Sequence, residues 1–488
     1  MAEEEDDAAD TLETGGHLAA IAIGCALATG FAGARLIEAS AEGKLISLLV
    51  VGVGVVAVWT AVTRPQSYPT ILLAYLPFSL AYPFPMLGLS GLNGSNLVIG
   101  GGLLAWLVSA LRRHEGRPLI GFELLLLVYM AIGAVGVLHG ALSAGDLDVA
   151  DLFIDYRTWV TPMLVFFIVR GVIEERSDAG AAVAVMCWVT FLVAILVWKE
   201  GVDLRGGRGI EEQRAVGVMG QANSMGAFLA YYGVPLLVVS LSRQPLLRRG
   251  AALVAFLVTA RAIIFTYSRG ALLALGVGSA AVVGLTHPLG LGLVGATALG
   301  ARSATSFLPD AVKTRFGHTQ ENSGIYDDRL EAGLDTSAAL RLNLWRGGLE
   351  MIRQHPLLGV GYHRFAHVVP QYAPQEIRDG DPRDAHNAYI LLGAEMGLPA
   401  LVVVLVLLAW TGVVGMELYF GDSDPTVRAV ALAGLGCLVA VMVSCMFGSR
   451  FADDALIGGF WGLAGLMFGL RSLPEDDDEG TDEEGDPA

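Results

Sequence analysis

The chain reads as an all-α protein: a polytopic bundle of about 12–14 membrane-spanning helices, with one long extracytoplasmic loop that carries amphipathic helices. Three observations lead there. Of 488 residues, 54% are hydrophobic and 16% charged, with a mean hydropathy of +0.58, whereas soluble domains carry about 25% charged residues. Apolar runs close to the 20 or so residues needed to cross a bilayer core recur along most of the length. The one long exception, residues 304–397, is polar and far exceeds ordinary connections of about 4–6 residues.

Taken in order, residues 1–16 hold seven acids and no Lys or Arg, and residues 472–488 hold nine acids and no Lys or Arg. Both read as disordered, self-repelling cytoplasmic tails. They account for almost all of the formal charge of −17, because 32 acids face 31 bases in the remainder. Between them, 17–471 forms the transmembrane domain. Its expected spans are 17–37, 45–62, 69–88, 93–111, 119–139, 157–174, 180–198, 218–240, 249–266, 270–286, 288–303, 398–417, 427–447 and 454–470. The weakest is 288–303, which is short and Gly-rich. The acidic N-terminus lacks the basic flank of a cleavable signal peptide, so the first span reads as a retained anchor. Cys25, Cys187, Cys437 and Cys445 all fall in apolar runs with no metal-ligand spacing and read as buried thiols.

Orientation follows from the short loops. Arg112, Arg113 and Arg117 fill one; Arg170 and Arg176 flank another; Arg243, Arg248 and Arg249 fill a third. Placing them in the cytoplasm obeys the positive-inside rule. The polar segment 199–217, the turn at Ser268-Arg269-Gly270 and the long loop 304–397 then lie outside. Arginines in the shorter outer turns go against the charge bias, and an anionic ligand on that face explains their retention.

Within the long loop, Leu342, Trp345, Leu349 and Ile352 set an apolar stripe opposite Arg346, Glu350 and Arg353. That pattern predicts an amphipathic interfacial helix ended by His355-Pro356. A Gly-broken turn, Leu358-Gly359-Val360-Gly361, follows. His386 and Asn387 then stand at the mouth of an apolar helix, where the pair can serve as a cap. The positive end of that helix favours a neutral imidazole able to accept a proton. Asp381, Asp384 and Glu395 are rival bases. Arg269, after Thr266-Tyr267-Ser268, joins two spans. Arg214 precedes Gly217-Val218-Met219-Gly220-Gln221-Ala222-Asn223, a second polar helix mouth. A planar guanidinium fork at either place suits a diphosphate, although snorkelling or structural pairing holds an Arg equally well. Arg157 is a lesser candidate at an outer helix mouth. Arg261, inside a span, is expected to face a cavity or an acid.

Together these segments resemble the O-antigen ligase and polymerase family of membrane glycosyltransferases. The resemblance rests on Arg341 through Trp345, His355-Pro356-Leu357-Leu358-Gly359-Val360-Gly361, Phe365, His386-Asn387-Ala388-Tyr389 and Glu395-Met396-Gly397, with Ser268-Arg269-Gly270 and Gly220-Gln221-Ala222-Asn223 upstream. It spans roughly 90–470, with a ligase-like core over about 214–415. The resemblance implies transfer of a glycan from a polyprenyl-diphosphate carrier to an acceptor hydroxyl, on a lipid or a glycan, outside the cytoplasmic membrane. It implies that Arg214 and Arg269 hold the diphosphate and that His386 assists the acceptor. Arg157, Arg341 and Asn387 are accessory candidates. No cofactor or metal is expected, since a lipid diphosphate is already a competent leaving group, and one direct displacement inverts the anomeric centre. Ligase and polymerase remain open alternatives.

There is no phosphate-binding Gly loop ending in Lys-Ser/Thr, so nucleotide-driven transport is not expected, and nothing points to nucleic acid. The rival classes are a secondary transporter or exporter of a lipid-linked or small anionic substrate, and a non-catalytic assembly protein. Transporters concentrate polar groups at the midplane on broken helices. Here they concentrate at outer helix mouths and in one loop.

Overall fold

The computed structural model describes residues 43–80, 94–113, 119–145, 148–205, 211–287, 336–375, 384–449 and 454–474, with single positions 290, 377 and 451. Several expectations fall outside the described residues: the spans 17–37 and 288–303, the tail 1–16, the C-terminal tail beyond 474, residues 304–335 of the long loop, and Asp381.

Fourteen α-helices and no strand occur among the described residues. They are α1 (Gly43–Thr63), α2 (Tyr68–Tyr75), α3 (Gly94–Arg112), α4 (Gly121–Ala144), α5 (Val149–Val172), α6 (Arg176–Asp203) and α7 (Ala222–Leu241). There follow α8 (Leu246–Phe265), α9 (Arg269–Thr286), α10 (Thr336–Gln354), α11 (Phe365–Tyr372), α12 (Ala388–Gly421), α13 (Pro425–Cys445) and α14 (Asp454–Arg471). Eight of them, α3 to α7 with α9, α12 and α13, are long and apolar enough to cross a membrane. The protein is a multi-pass helical bundle. Large apolar side chains such as Leu107, Leu127, Val402 and Val413 stand exposed on the outer faces, as lipid-facing helices require. The inside is close-packed: α7 is buried by α6, α8, α9 and α13, and α5 lies along α14. Phe122, Phe166 and Phe468 meet there, with ring centroids 4.2 Å (Phe122–Phe468) and 4.9 Å (Phe122–Phe166) apart.

The bundle has two chemically distinct ends. At one, Arg170 of α5 pairs with Glu123 of α4 at 2.5 Å, both buried. Arg113 donates to the Gly171 carbonyl, Arg176 faces Asp424 at 3.4 Å, Arg249 donates to the Ser240 carbonyl at 3.1 Å, and Arg471 pairs with Glu417 at 2.9 Å. At the other end lie the starts of α5, α7, α9, α12 and α14 and the finish of α4, α6, α8 and α13. The polar segments singled out from the sequence gather at that second end.

Three elements differ from expectation. The run 69–88 is broken: α2 stops at Tyr75 and a 3₁₀ turn, Leu76–Phe78, follows, because Pro77 bars the residue before it from continuing a regular helix. The span expected from 157 begins at Val149, since the Asp148 carboxylate caps it by accepting from the Ala150 and Asp151 amides at 2.7 and 3.4 Å. Arg157 therefore lies two turns inside α5 and not at its mouth. The span expected from 398 is the second half of α12, which breaks at Gly397 (φ 79°, ψ 176°). At the break the Leu398 amide donates to the Pro356 carbonyl at 2.7 Å. Only glycine takes that backbone conformation cheaply.

The interfacial helix forms as α10, but its buried face is displaced. Leu344 and Met351 are fully buried against Phe365 and Val369, whereas Leu349 is 56% exposed. The expected stripe assumed a membrane on one side. The tighter packing is against α11 and α12, so Leu340, Leu344, Gly347, Gly348 and Met351 turn inward.

Candidate active site

The first part of the site is an arginine-rich turn. α8 ends at Phe265, and Thr266 folds its hydroxyl back onto the Ile263 carbonyl at 2.7 Å while receiving the Ser268 amide at 3.3 Å. Tyr267 takes a left-handed φ of 52°. Ser268 then caps α9 by accepting from the Ala271 amide at 3.4 Å, and Arg269 opens that helix. The turn leans on α7 at Gly226, where a Cβ would come within 2.8 Å of Thr266 Oγ1. Arg214 reaches the same turn from the preceding loop. Its Nε donates to the Thr266 carbonyl at 3.0 Å, and one terminal nitrogen donates to Asn223 Oδ1 at 2.6 Å. The Ala215 amide donates to the Phe265 carbonyl at 3.0 Å. Arg214 and Arg269 are thus three residues apart at their point of attachment, though far apart in the chain.

Arg261 finds an aromatic partner. Its guanidinium lies over the Phe265 ring, 4.3 Å from the centroid, with Arg205 also at 5.3 Å. The quadrupole of the ring compensates for partial loss of water. The sequence holds no sign of this partner beyond the i, i+4 spacing of Arg261 and Phe265.

The second part is a carboxylate–imidazole pair. Asn387 caps α12 by accepting from the Tyr389 and Ile390 amides at 3.0 and 3.1 Å, so His386 is left outside the helix. Its φ of 47° is left-handed, and its Nδ1 stands 3.1 Å from Asp384 Oδ2. The other oxygen of Asp384 accepts from Ser449 Oγ at 2.7 Å. The Trp345 indole donates to the Ala385 carbonyl at 2.7 Å and ties the segment to α10. A carboxylate on Nδ1 selects the imidazole tautomer whose lone pair is on Nε2 and fixes the ring plane. Of the rival bases, Asp384 is therefore the partner of His386.

The two parts meet through the α13–α14 connection. Gly270, next to Arg269, packs closely on Phe447: a Cβ added there would stand 3.0 Å from Phe447 Cβ. Phe447 lies two residues before Ser449, which holds Asp384.

A cavity of about 330 Å³ opens beside Asp384. Trp159, Tyr362, Phe451, Asp384, Glu395 and Ser449 are on its wall. The turn that carries Tyr362 is docked on α4: the Tyr362 amide donates to the Gly136 carbonyl at 3.0 Å, and Gly361 (φ 101°) rests on Gly140. Glu395 is buried and accepts from the Phe365 amide at 2.9 Å. Burial, and then the Glu395 and Asp155 carboxylates, push the Tyr362 phenol above its ordinary range, so it is a neutral hydrogen-bonding group at physiological pH. His363 stacks on Tyr362 at 4.0 Å and faces Asp155 at 3.4 Å.

Two accessory candidates remain. Arg157 donates to Asn96 Oδ1 at 2.8 Å and so ties α5 to α3. Arg341 is in the second turn of α10. Sequence reasoning missed Trp159, Tyr362, Ser449 and Phe451. Tyr362-His363 directly follow the Gly-broken turn, and Ser449 stands in a short polar break between two apolar runs, so position alone could have flagged both.

Residues 251–405 match the model of the family described as O-Antigen ligase. This part of the chain is O-antigen ligase-like. The matched segment contains Arg261, Arg269, Arg341, His386 and Asn387; Arg157 and Arg214 precede it. A comparison with curated proteins returns no match. The O-antigen ligase likeness, with the apolar helices, points to glycosyl transfer at a membrane in surface polysaccharide assembly.

Proposed function

We propose that this protein transfers a glycan from a polyprenyl-diphosphate carrier to an acceptor hydroxyl, on a lipid or on another glycan, at the extracytoplasmic face of the cytoplasmic membrane. The observation that carries this reading is the gathering of Arg214, Arg269 and the Asp384–His386 pair at one end of the bundle, joined by the contact of Gly270 with Phe447 and the Ser449–Asp384 hydrogen bond. Guanidinium forks suit a diphosphate. An imidazole oriented by a carboxylate suits proton removal. The arginine-rich opposite end, with Arg113, Arg176, Arg249 and Arg471, suits the cytosol by the positive-inside rule, and this reading takes both acidic tails to be cytosolic.

In this mechanism the acceptor oxygen attacks the anomeric carbon from the face opposite the diphosphate. A new C–O bond forms as the bond to the phosphate oxygen breaks, and the electron pair leaves with the diphosphate. The acceptor proton passes to Nε2 of His386, and the imidazolium is stabilised by Asp384. Arg214 and Arg269 stabilise charge growing on the leaving group, a contribution of about 3–4 kcal/mol for one well-placed donor. One displacement inverts the configuration.

The test is turnover by the purified chain in nanodiscs with a polyprenyl-diphosphate-linked glycan. Arg269→Ala is expected to abolish release of the diphosphate with normal membrane insertion, and unchanged product from that variant removes Arg269 from the mechanism. Substrate counterflow in vesicles without glycan transfer would replace the enzyme by a transporter. Deletion of the gene and sizing of the surface polysaccharide separates the two forms of the reaction: single repeats indicate a polymerase, and full-length glycan left on its carrier indicates a ligase.

A further inference from the structure

The cavity beside Asp384 has a lining that differs in kind from the arginine turn. Trp159, Tyr362 and Phe451 supply aromatic surface, and the Ser449 hydroxyl, the Asp384 carboxylate and the buried Glu395 carboxyl group supply polar groups. Its volume, about 330 Å³, falls at the lower end of the range of about 300–1,000 Å³ for small-molecule sites. Aromatic walls with a few convergent polar groups are the chemistry of a pyranose site. The rings cover the C–H face of a sugar, whose partial positive charge meets the negative face of the π system, and carboxylates and a hydroxyl take its O–H groups.

We propose that this cavity is the acceptor subsite and that it receives one neutral or amino-bearing sugar ring, with the reacting hydroxyl at the Asp384 edge, on the side of that carboxylate's partner His386. The assignment rests on the glycan-transfer reading above. Asp384 supplies the charge on the wall, and His363, also on the wall, is paired with Asp155 at 3.4 Å. The Asp384 carboxylate at this edge repels the carboxylate of an acidic sugar and attracts an ammonium group. The donor diphosphate is drawn to the arginine turn, so the two ends of the reacting pair are sorted by charge. Three segments distant in sequence build the site: α5 supplies Trp159, the Gly-broken turn supplies Tyr362, and the α13–α14 connection supplies Ser449 and Phe451. Trp159 is held in place from behind by Tyr129, with ring centroids 4.9 Å apart.

The experiment is saturation-transfer NMR on the full chain in nanodiscs, with methyl β-D-glucopyranoside, methyl β-D-glucosaminide and methyl β-D-glucuronide as probes. The neutral and amino glycosides are expected to give ring-proton signals and the glucuronide a signal about tenfold weaker. Phe451→Ala and Trp159→Leu should each remove the signals. Asp384→Asn should bring the glucuronide up to the level of the glucoside, and the retained glucoside signal in that variant reports that the site is folded. Equal signals from all three glycosides in the unmodified protein, no signal from any, or signals indifferent to Phe451→Ala would each overturn the proposal. Binding is read without turnover. Glycoside binding in a chain that transfers nothing leaves a sugar-binding cavity but removes the transfer reading and, with it, the acceptor role. Transfer that depends on Arg269 with no glycoside in this cavity removes the subsite alone.

Discussion

Asp384 Oδ2 lies 3.1 Å from Nδ1 of His386, and the remaining oxygen of Asp384 is held by the Ser449 hydroxyl at 2.7 Å. The carboxylate thus orients the imidazole and is itself oriented from another segment of the chain. Replacing Asp384 by Asn keeps the shape but allows the amide to donate, which favours the wrong tautomer of His386. In the transfer assay Asp384→Asn and His386→Ala are expected to lower kcat by about 10²–10⁴-fold, with little change in the KM for the lipid-linked donor. A change confined to donor KM would move both residues to the binding of the carrier.

The buried Glu123–Arg170 pair makes a stability prediction. Arg170→Ala or Glu123→Ala leaves one charge inside the helical bundle with its partner gone, at a cost of about 3–5 kcal/mol. The double replacement Glu123→Leu with Arg170→Met is expected to recover most of it, because apolar residues of similar size often substitute well for a buried pair. Thermal unfolding of the detergent-solubilised variants reads this directly. Equal stability of the single and double variants would mean that the pair is not coupled.

Gly140 gives a packing prediction. A Cβ there would stand 2.5 Å from the Tyr362 carbonyl oxygen, a main-chain atom that cannot rotate away. Gly140→Ala should push the 359–363 turn off α4, costing about 1–3 kcal/mol, and lower transfer by more than it lowers folded yield. Gly276→Ala serves as the control, since nothing lies within 4 Å of a Cβ at that position. Similar losses in both variants would separate the turn from activity.

The two ends of the bundle give a topology prediction. In a chain whose four native cysteines are replaced by serine or alanine, single cysteines at Leu357 and Gln244 are both exposed. An impermeant thiol reagent applied to intact cells should label the first and spare the second. The reverse pattern would place His386 and Arg269 in the cytosol and end the proposal of extracytoplasmic transfer.

Hydropathy made most of the described helices readable, because a run such as 427–447 has no alternative use for so many apolar residues. Its observed counterpart is Pro425–Cys445. It could not place helix starts set by a single polar side chain: Asp148 adds two turns to α5 and moves Arg157 inward. The face of α10 was misjudged for a related reason. Periodicity identifies two sides of a helix but not which of two apolar neighbours claims one, and here α11 and α12 took Leu344 and Met351 while Leu349 was left exposed. The chemistry was partly legible, since Arg269, Arg214 and His386 occupy polar breaks in an apolar text. Their partners were not: the Thr266 carbonyl that receives Arg214 is backbone, and Ser449, which holds Asp384, lies 65 residues away.

The break at Gly397 divides one helical stretch of 34 residues into parts under different rules. Beyond it, the helix lies among other membrane helices and can absorb a residue more or less by tilting. Before it, the distance from the Asn387 cap to the break is fixed. One residue added there turns everything downstream by about 100° about the helix axis, swinging Glu395 off the cavity floor and carrying the turn on which Pro356 and Leu398 meet out of register. Insertions and deletions in relatives of this protein should therefore crowd after residue 397 and be absent between 387 and 397, a pattern that a set of aligned relatives would display without any assay.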